Sequence, residues 1–171
     1  TKLNVSHNKL NKLDLKDADN LRMLDISNNK FTRLILNHSE LIENINVANN
    51  ELTEIGIPTV APVKKLNISG NYFTLANMPN DFGLSRGNFI YAPQHDLQIS
   101  TSSPGIDLSE QCITKNGAKT QFVWKKKNGQ PLQLGTDYTI TDGSAKFKNL
   151  ALDSIYCEMT HAAYPDFEGQ N

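Results

Sequence analysis

The stretches LNVSHNKL (residues 3–10), LDISNNKF (24–31), INVANNEL (45–52) and LNISGNYF (66–73) are one phrase written four times, 21 residues apart. Asn8, Asn29, Asn50 and Asn71 hold the same place in each copy. Lining the copies up gives apolar columns: Leu3/Leu24/Ile45/Leu66, Val5/Ile26/Val47/Ile68 and Leu10/Phe31/Leu52/Phe73. Leu13/Leu34/Ile55 ends at Ala76, Leu15/Leu36/Ile57 ends at Met78, and Leu21/Ile42/Val63 completes the set. One coil alone could not bury these residues, but stacked coils bury them against each other. A fixed period in the twenties therefore predicts a solenoid.

Within each coil, Leu-x-Val and Leu-x-Leu alternate with period two, which predicts short strands. Stacking aligns them into a parallel sheet, with about 4.8 Å between neighbours. The asparagines stand where the chain bends away from the strand. An asparagine there can bond the backbone groups that the bend leaves unpaired, which would each cost about 1–3 kcal/mol if buried bare. Asn8, Asn29, Asn50 and Asn71 are thus read as structural rather than as ligand contacts.

The phrase resembles the leucine-rich repeat over residues 1–78. Its short period, with a second Leu-x-Leu where longer repeats carry a helix, is similar to the internalin-like bacterial type. That resemblance implies a curved solenoid with a solvent-facing concave sheet. Mapped onto it, the candidate ligand contacts are Asn4, Asp25, Asn46 and Asn67, then Ser6, Ser27 and Ser69. Met23, Asn44 and Lys65 come from the column that Lys2 opens. Such a polar file suits a protein or glycan, although ordinary solvated strand faces look the same.

From residue 79 the register fails. Pro79, Gly83, Gly87 and Pro93 punctuate a segment that still carries Phe82, Leu84, Phe89, Ile90 and Tyr91. Residues 79–95 are read as a terminal cap and linker, because a solenoid leaves its last apolar coil open. Residues 96–171 change to strands and turns. Strands are expected at Asp96–Ser100, around Ile106 and Leu108, at Phe122–Trp124, and at Tyr138–Thr141, Ala145–Leu150 and Ile155–Thr160. Turns are expected at Ser103-Pro104-Gly105, Asn116-Gly117 and Asn128-Gly129. This spacing suggests a small β-sandwich.

Cys112, Trp124 and Cys157 resemble the Cys…Trp…Cys pattern of immunoglobulin-like domains. The fold expected overall is mainly β, a leucine-rich repeat solenoid followed by an immunoglobulin-like sandwich. The resemblance implies a Cys112–Cys157 disulfide packed on a structural Trp124. Closing a loop of about 46 residues, it would stabilise by ~4 kcal/mol in the chain-entropy model. Two buried thiols packing as small hydrophobes are the alternative. Ile155 stands where the family has a tyrosine, and Glu158–Asn171 is tight for the family's last strand, whose presence stays open.

Seventeen Lys and Arg against 18 Asp and Glu give a net charge of −1, no field for nucleic acid or an anionic membrane. No apolar run is long enough for a spanning helix. The chain opens on Thr1 in mid-phrase and reads as a piece of a longer protein, so a missing leader says nothing about export. His7, His38, His95 and His161 are scattered. A Cys157–His161 nucleophile is conceivable, but Cys112 and Trp124 already account for Cys157. Asp14, Asp17 and Asp19 lack the glycine-turned loop of a calcium site and read as turn residues. Lys125-Lys126-Lys127 reads as an exposed strand end. The Asn-x-Ser matches at Asn4, Asn37 and Asn67 arise from the repeat itself. Phosphate loops and metalloprotease or serine-hydrolase motifs are absent from the sequence, and no metal or cofactor is expected.

The combination is similar to exported multidomain surface proteins of gut bacteria. It implies a non-catalytic binding or adhesion module at the cell surface or secreted, with the sandwich as spacer. The alternative is an accessory region of a larger secreted enzyme.

Overall fold

The computed structural model describes residues 1–99, 104–148 and 155–167. The chain divides into two compact units, Thr1–His95 and Asp96–Asn171.

The first unit is a stack of coils. Its strands are β1 (Lys2–Asn4), β2 (Met23–Asp25), β3 (Arg33–Ile35), β4 (Asn44–Asn46), β5 (Glu54–Gly56), β6 (Lys65–Asn67) and β7 (Phe89–Ile90). β1, β2, β4, β6 and β7 form one parallel five-stranded sheet in that order, and β3 pairs with β5 in a second. The register follows the sequence columns: Leu3 pairs with Leu24, Leu24 with Ile45, and Ile45 with Leu66. Leu34 pairs with Ile55 across the second sheet, so the second Leu-x-Leu does form strands where it is best conserved in type.

Burial tracks position in the stack. Ile26, Val47, Ile68, Ile42, Leu52 and Leu66 have no measurable exposure, whereas Leu10 of the first coil is 36% exposed and Leu3, Val5, Leu13 and Leu15 are half-buried. Each coil is sealed by the coils above and below it, and the first has a neighbour on one side only.

The expected cap is in fact a fifth coil. β7 continues the sheet, with Phe89 paired to Leu66 and Ile90 to Asn67. Phe89 and Tyr91 extend the two central apolar columns and are both buried. The coil is two residues longer than the others, so a fixed period cannot find it. The slip begins early: Leu75 is buried and Ala76 exposed, so the fourth column does not end on Ala76.

The second unit holds β8 (Gly105–Asp107), β9 (Thr114–Lys115), β10 (Ala118–Lys119), β11 (Gln121–Lys126), β12 (Tyr138–Thr141), β13 (Ser144–Phe147) and β14 (Ile155–Thr160). One antiparallel sheet runs β12-β13-β8, another pairs β11 with β14, and β9 and β10 form a hairpin. Trp124 from β11 meets Phe147 from β13 edge-on, with ring centroids 4.8 Å apart, over a core that includes Ile106, Leu108, Leu132, Tyr138 and Ala145. Asn116 and Gly117 turn the β9–β10 hairpin with φ of 54° and 77°, the left-handed pair that an Asn-Gly turn requires. Asp142-Gly143, which the sequence reading passed over, turns β12 into β13 with φ of 44° and 82°.

Other expectations are corrected. Asp96–Ile99 forms no strand, and Ser100 lies outside the described residues. Gly105 opens β8 rather than closing a turn, and Ser103 is outside the described residues. The strand expected at Ala145–Leu150 runs from Ser144 to Phe147, and its last two positions are likewise not described. The Cys112–Cys157 disulfide is not formed: both cysteines are free thiols. The reason is local. The chain leaves β8 at Asp107, makes a 3-10 turn at Ser109–Gln111, and reaches Cys112 off the sheet. Ile106 and Leu108 take the inward positions instead.

Candidate functional site

From Asn29 to Asn71 the asparagine ladder is closed to ligands because its bonding is complete. Asn50 is buried; its amide donates to the carbonyls of Ile26 (3.1 Å), Val47 (3.0 Å) and Ala48 (3.3 Å), and its oxygen accepts the Phe31 N–H at 3.1 Å. Asn29 and Asn71 repeat the pattern one coil down and one coil up. Asn8, at the end of the stack, is exposed and reaches only Val5 and Ser6. Gln94 supplies the rung above Asn71: its amide donates to Ile68 (2.9 Å) and Tyr91, and its oxygen accepts the Phe73 N–H at 3.0 Å. The reach to the carbonyl of the coil below spans 26 residues here and 24 in the other coils. A longer side chain thus serves a longer coil.

The residue before each asparagine is in the left-handed region: His7, Asn28 and Asn49 at φ 55–57°, and Gly70 at 65°. That explains a column with no common chemistry, since asparagine and glycine tolerate this backbone best. A Cβ on Gly70 would sit 2.2 Å from Asn49 Oδ1.

The expected contact columns divide into two kinds. Asn4, Asp25, Asn46 and Asn67 do line up on the solvent face of the five-stranded sheet. Each turns its side-chain oxygen onto the backbone N–H two residues on, at 2.9–3.3 Å. Ser6, Ser27 and Ser69 add their hydroxyls to the same oxygens at 2.6–2.8 Å. Burial alone would raise the Asp25 carboxyl. The Ser27 hydroxyl and N–H, the Asn46 side chain and the nearby His7 outweigh it and hold the group below its ordinary value of 3.8. Ser27 is 5% exposed and offers no contact surface. This file fastens the strand ends; most of its polar groups are spent within the coil.

The column of Lys2, Met23, Asn44 and Lys65 is different. It is in register across β1, β2, β4 and β6. Lys2, Met23 and Lys65 are exposed, Met23 at 40%, and Asn44 is half-buried. None of the four makes a side-chain bond in the first unit. Beside it runs a charged row that the sequence reading missed. Arg22 and Lys64 both bind Glu43, at 2.5 and 2.6 Å, in matching positions of successive coils. Lys64 first and then Arg22 hold the Glu43 carboxyl below its ordinary value of 4.5. Alternating charge at the repeat period was the available signal. On the second sheet, Arg33 grips Glu54 with two bonds, at 2.6 and 2.9 Å.

The remaining candidates resolve into structure. Asp14 accepts the Lys16 N–H in a turn, and Asp14, Asp17 and Asp19 are exposed. Lys125 pairs with Glu158 at 2.6 Å across β11 and β14. Among the described residues, no group of three or more His, Cys, Asp or Glu is placed to hold a metal. Cys157, opposite Trp124 on the paired strands, has its thiol pushed up to about 12 by burial, the reverse of an activated nucleophile. Trp124 is 2% exposed and lies in the core of the second unit.

Residues 20–40, one coil of the stack, match the leucine-rich repeat family. The first unit is a leucine-rich repeat solenoid. The coils on either side of that match keep the same register, and Asn50 and Asn71 in the later coils repeat the asparagine bonds. No curated protein and no solved structure matches the chain. No helix among the described residues is long and apolar enough to cross a membrane.

Proposed function

We propose that this chain is a non-catalytic binding and adhesion module, displayed at a cell surface or secreted, whose solenoid holds a protein. The observation that carries the reading is the Lys2–Met23–Asn44–Lys65 column: in register, exposed, and not spent on the fold. A polarizable apolar side chain between two lysines suits a partner surface with an apolar knob and acidic flanks. Leucine-rich repeats suggest protein binding in general, and rigid strand-borne side chains lose little freedom on contact. A glycan is the less favoured ligand, because the amide and hydroxyl file that would suit it is bonded within the coils.

The second unit we read as an immunoglobulin-like sandwich acting as a spacer. Its three-stranded and two-stranded sheets, with Trp124 packed between them, support this; the unformed disulfide departs from the pattern. The short β3 and β5 strands, where longer repeats have a helix, favour the internalin-like type. The surface location rests on the same resemblance. A thermal-shift screen of the full chain against extracellular proteins and glycans tests the reading. Protein ligands that raise the melting of the solenoid are expected; hits that stabilise only the second unit overturn it.

A further inference from the structure

The second unit carries a pocket of about 400 Å³ beside the β9–β10 hairpin and the end of β14, within the size range of small-ligand sites. Lys119, Gln121, Thr160, His161, Tyr164 and Pro165 line it with two alanines, and no acidic side chain is among them. His161 is only 3% exposed. Its Nδ1 accepts the Ala163 N–H at 3.0 Å, which leaves Nε2 as the ring nitrogen that carries a proton. That Nε2–H is buried and has no partner among the described residues. Native proteins rarely leave a buried donor unpaired, and such an atom calls for an acceptor from outside the chain. Behind the lining, Lys115 fixes Tyr164: its Nζ donates to the Tyr164 hydroxyl at 2.8 Å and stands 4.6 Å above that ring.

We propose that this pocket binds a carboxylate, carried by a sugar acid or by a peptide C-terminus. His161 Nε2–H donates to one carboxylate oxygen, and the exposed Lys119 ammonium closes on the other from the rim. The site is built from the second unit alone and does not depend on the proposed solenoid surface. The chemistry is read from the lining: a buried N–H donor and an exposed ammonium, with no carboxylate beside them, favour an anion over a neutral group, and the space admits one sugar ring or one terminal residue.

Titration of the full chain with ¹⁵N-labelled histidine tests this, using glucuronate and an N-acetylated dipeptide with a free C-terminus. Glucose and the amidated dipeptide are the neutral counterparts. A saturable shift of the His161 Nε2–H signal with at least one carboxylate and neither neutral compound is expected. Response to glucuronate alone assigns sugar acids, and response to the peptide alone assigns C-termini. Lys119→Gln, a rim change that leaves the core intact, should weaken binding at least about fivefold, in line with one charge-assisted hydrogen bond. No saturable shift, an equal response to the neutral compounds, or unchanged affinity in K119Q overturns the proposal.

Discussion

Replacing Asn50 by alanine removes a fully bonded rung from the middle of the ladder. The Phe31 N–H loses its Asn50 acceptor, and a buried donor left bare costs about 1–3 kcal/mol. The three carbonyls are less exposed to loss, because each has a second donor. Ile26 keeps the Asn29 amide, Val47 keeps the Asn71 amide, and Ala48 keeps the Asn28 N–H. For the two shorter of the three bonds the net loss is about 0.5–1.5 kcal/mol each. The total comes to about 4 kcal/mol, within a span of roughly 2–6. Asn8→Ala, at the open end with two bonds and an exposed side chain, should cost below about 1 kcal/mol by the same reasoning. Urea unfolding of the full chain by circular dichroism, with the solenoid transition fitted separately, measures both. Equal costs for Asn50→Ala and Asn8→Ala, or a cost for Asn50→Ala under about 1 kcal/mol, would refute the assignment of the ladder to backbone pairing.

Three further outcomes are expected. Gly70→Ala forces a Cβ into the left-handed region and against Asn49 Oδ1, and should lower stability by about 1–3 kcal/mol in the same unfolding assay. Glu43 and Glu54 titrate below their ordinary 4.5 in the folded chain, so the stability they add is complete above that pH and is lost as pH falls through their folded values. Glu43→Gln should therefore flatten the acid side of the solenoid's pH–stability curve. In thiol titration both cysteines should react after denaturation without reductant, and in the native protein the half-buried Cys157, whose thiol is held protonated, should react far more slowly than Cys112.

The solenoid was legible because each coil repeats one burial problem: six apolar columns at a constant period leave a single arrangement that covers them all. The fifth coil escaped because its two extra residues break the period and Gln94 takes the place of an asparagine; only the bonds to Ile68, Tyr91 and Phe73 reveal the equivalence. In the second unit, β12 and β14 could be bounded from alternation alone, and Asn116-Gly117 marked its hairpin. The disulfide was not legible from spacing, since two cysteines pair only if both lie where the sheets face each other, and the turn at Ser109–Gln111 carries Cys112 elsewhere. For the candidate site, the sequence showed which residues share a face but not which are already bonded. Asn4 and Lys2 are two residues apart and both point outward; only the hydrogen bond from Ser6 distinguishes a fastening from a free contact.

That distinction is the centre of the account, and a comparison of two column variants tests it. Against a protein ligand found in the thermal-shift screen, Lys2→Glu/Met23→Asp/Lys65→Glu should lose about tenfold or more in affinity, the effect of about 1.4 kcal/mol at a desolvated anchor. Ser6→Ala/Ser69→Ala, which trims the fastening file, should stay within about twofold. The reverse order, with the serine variant losing binding and the lysine–methionine variant keeping it, would contradict the account.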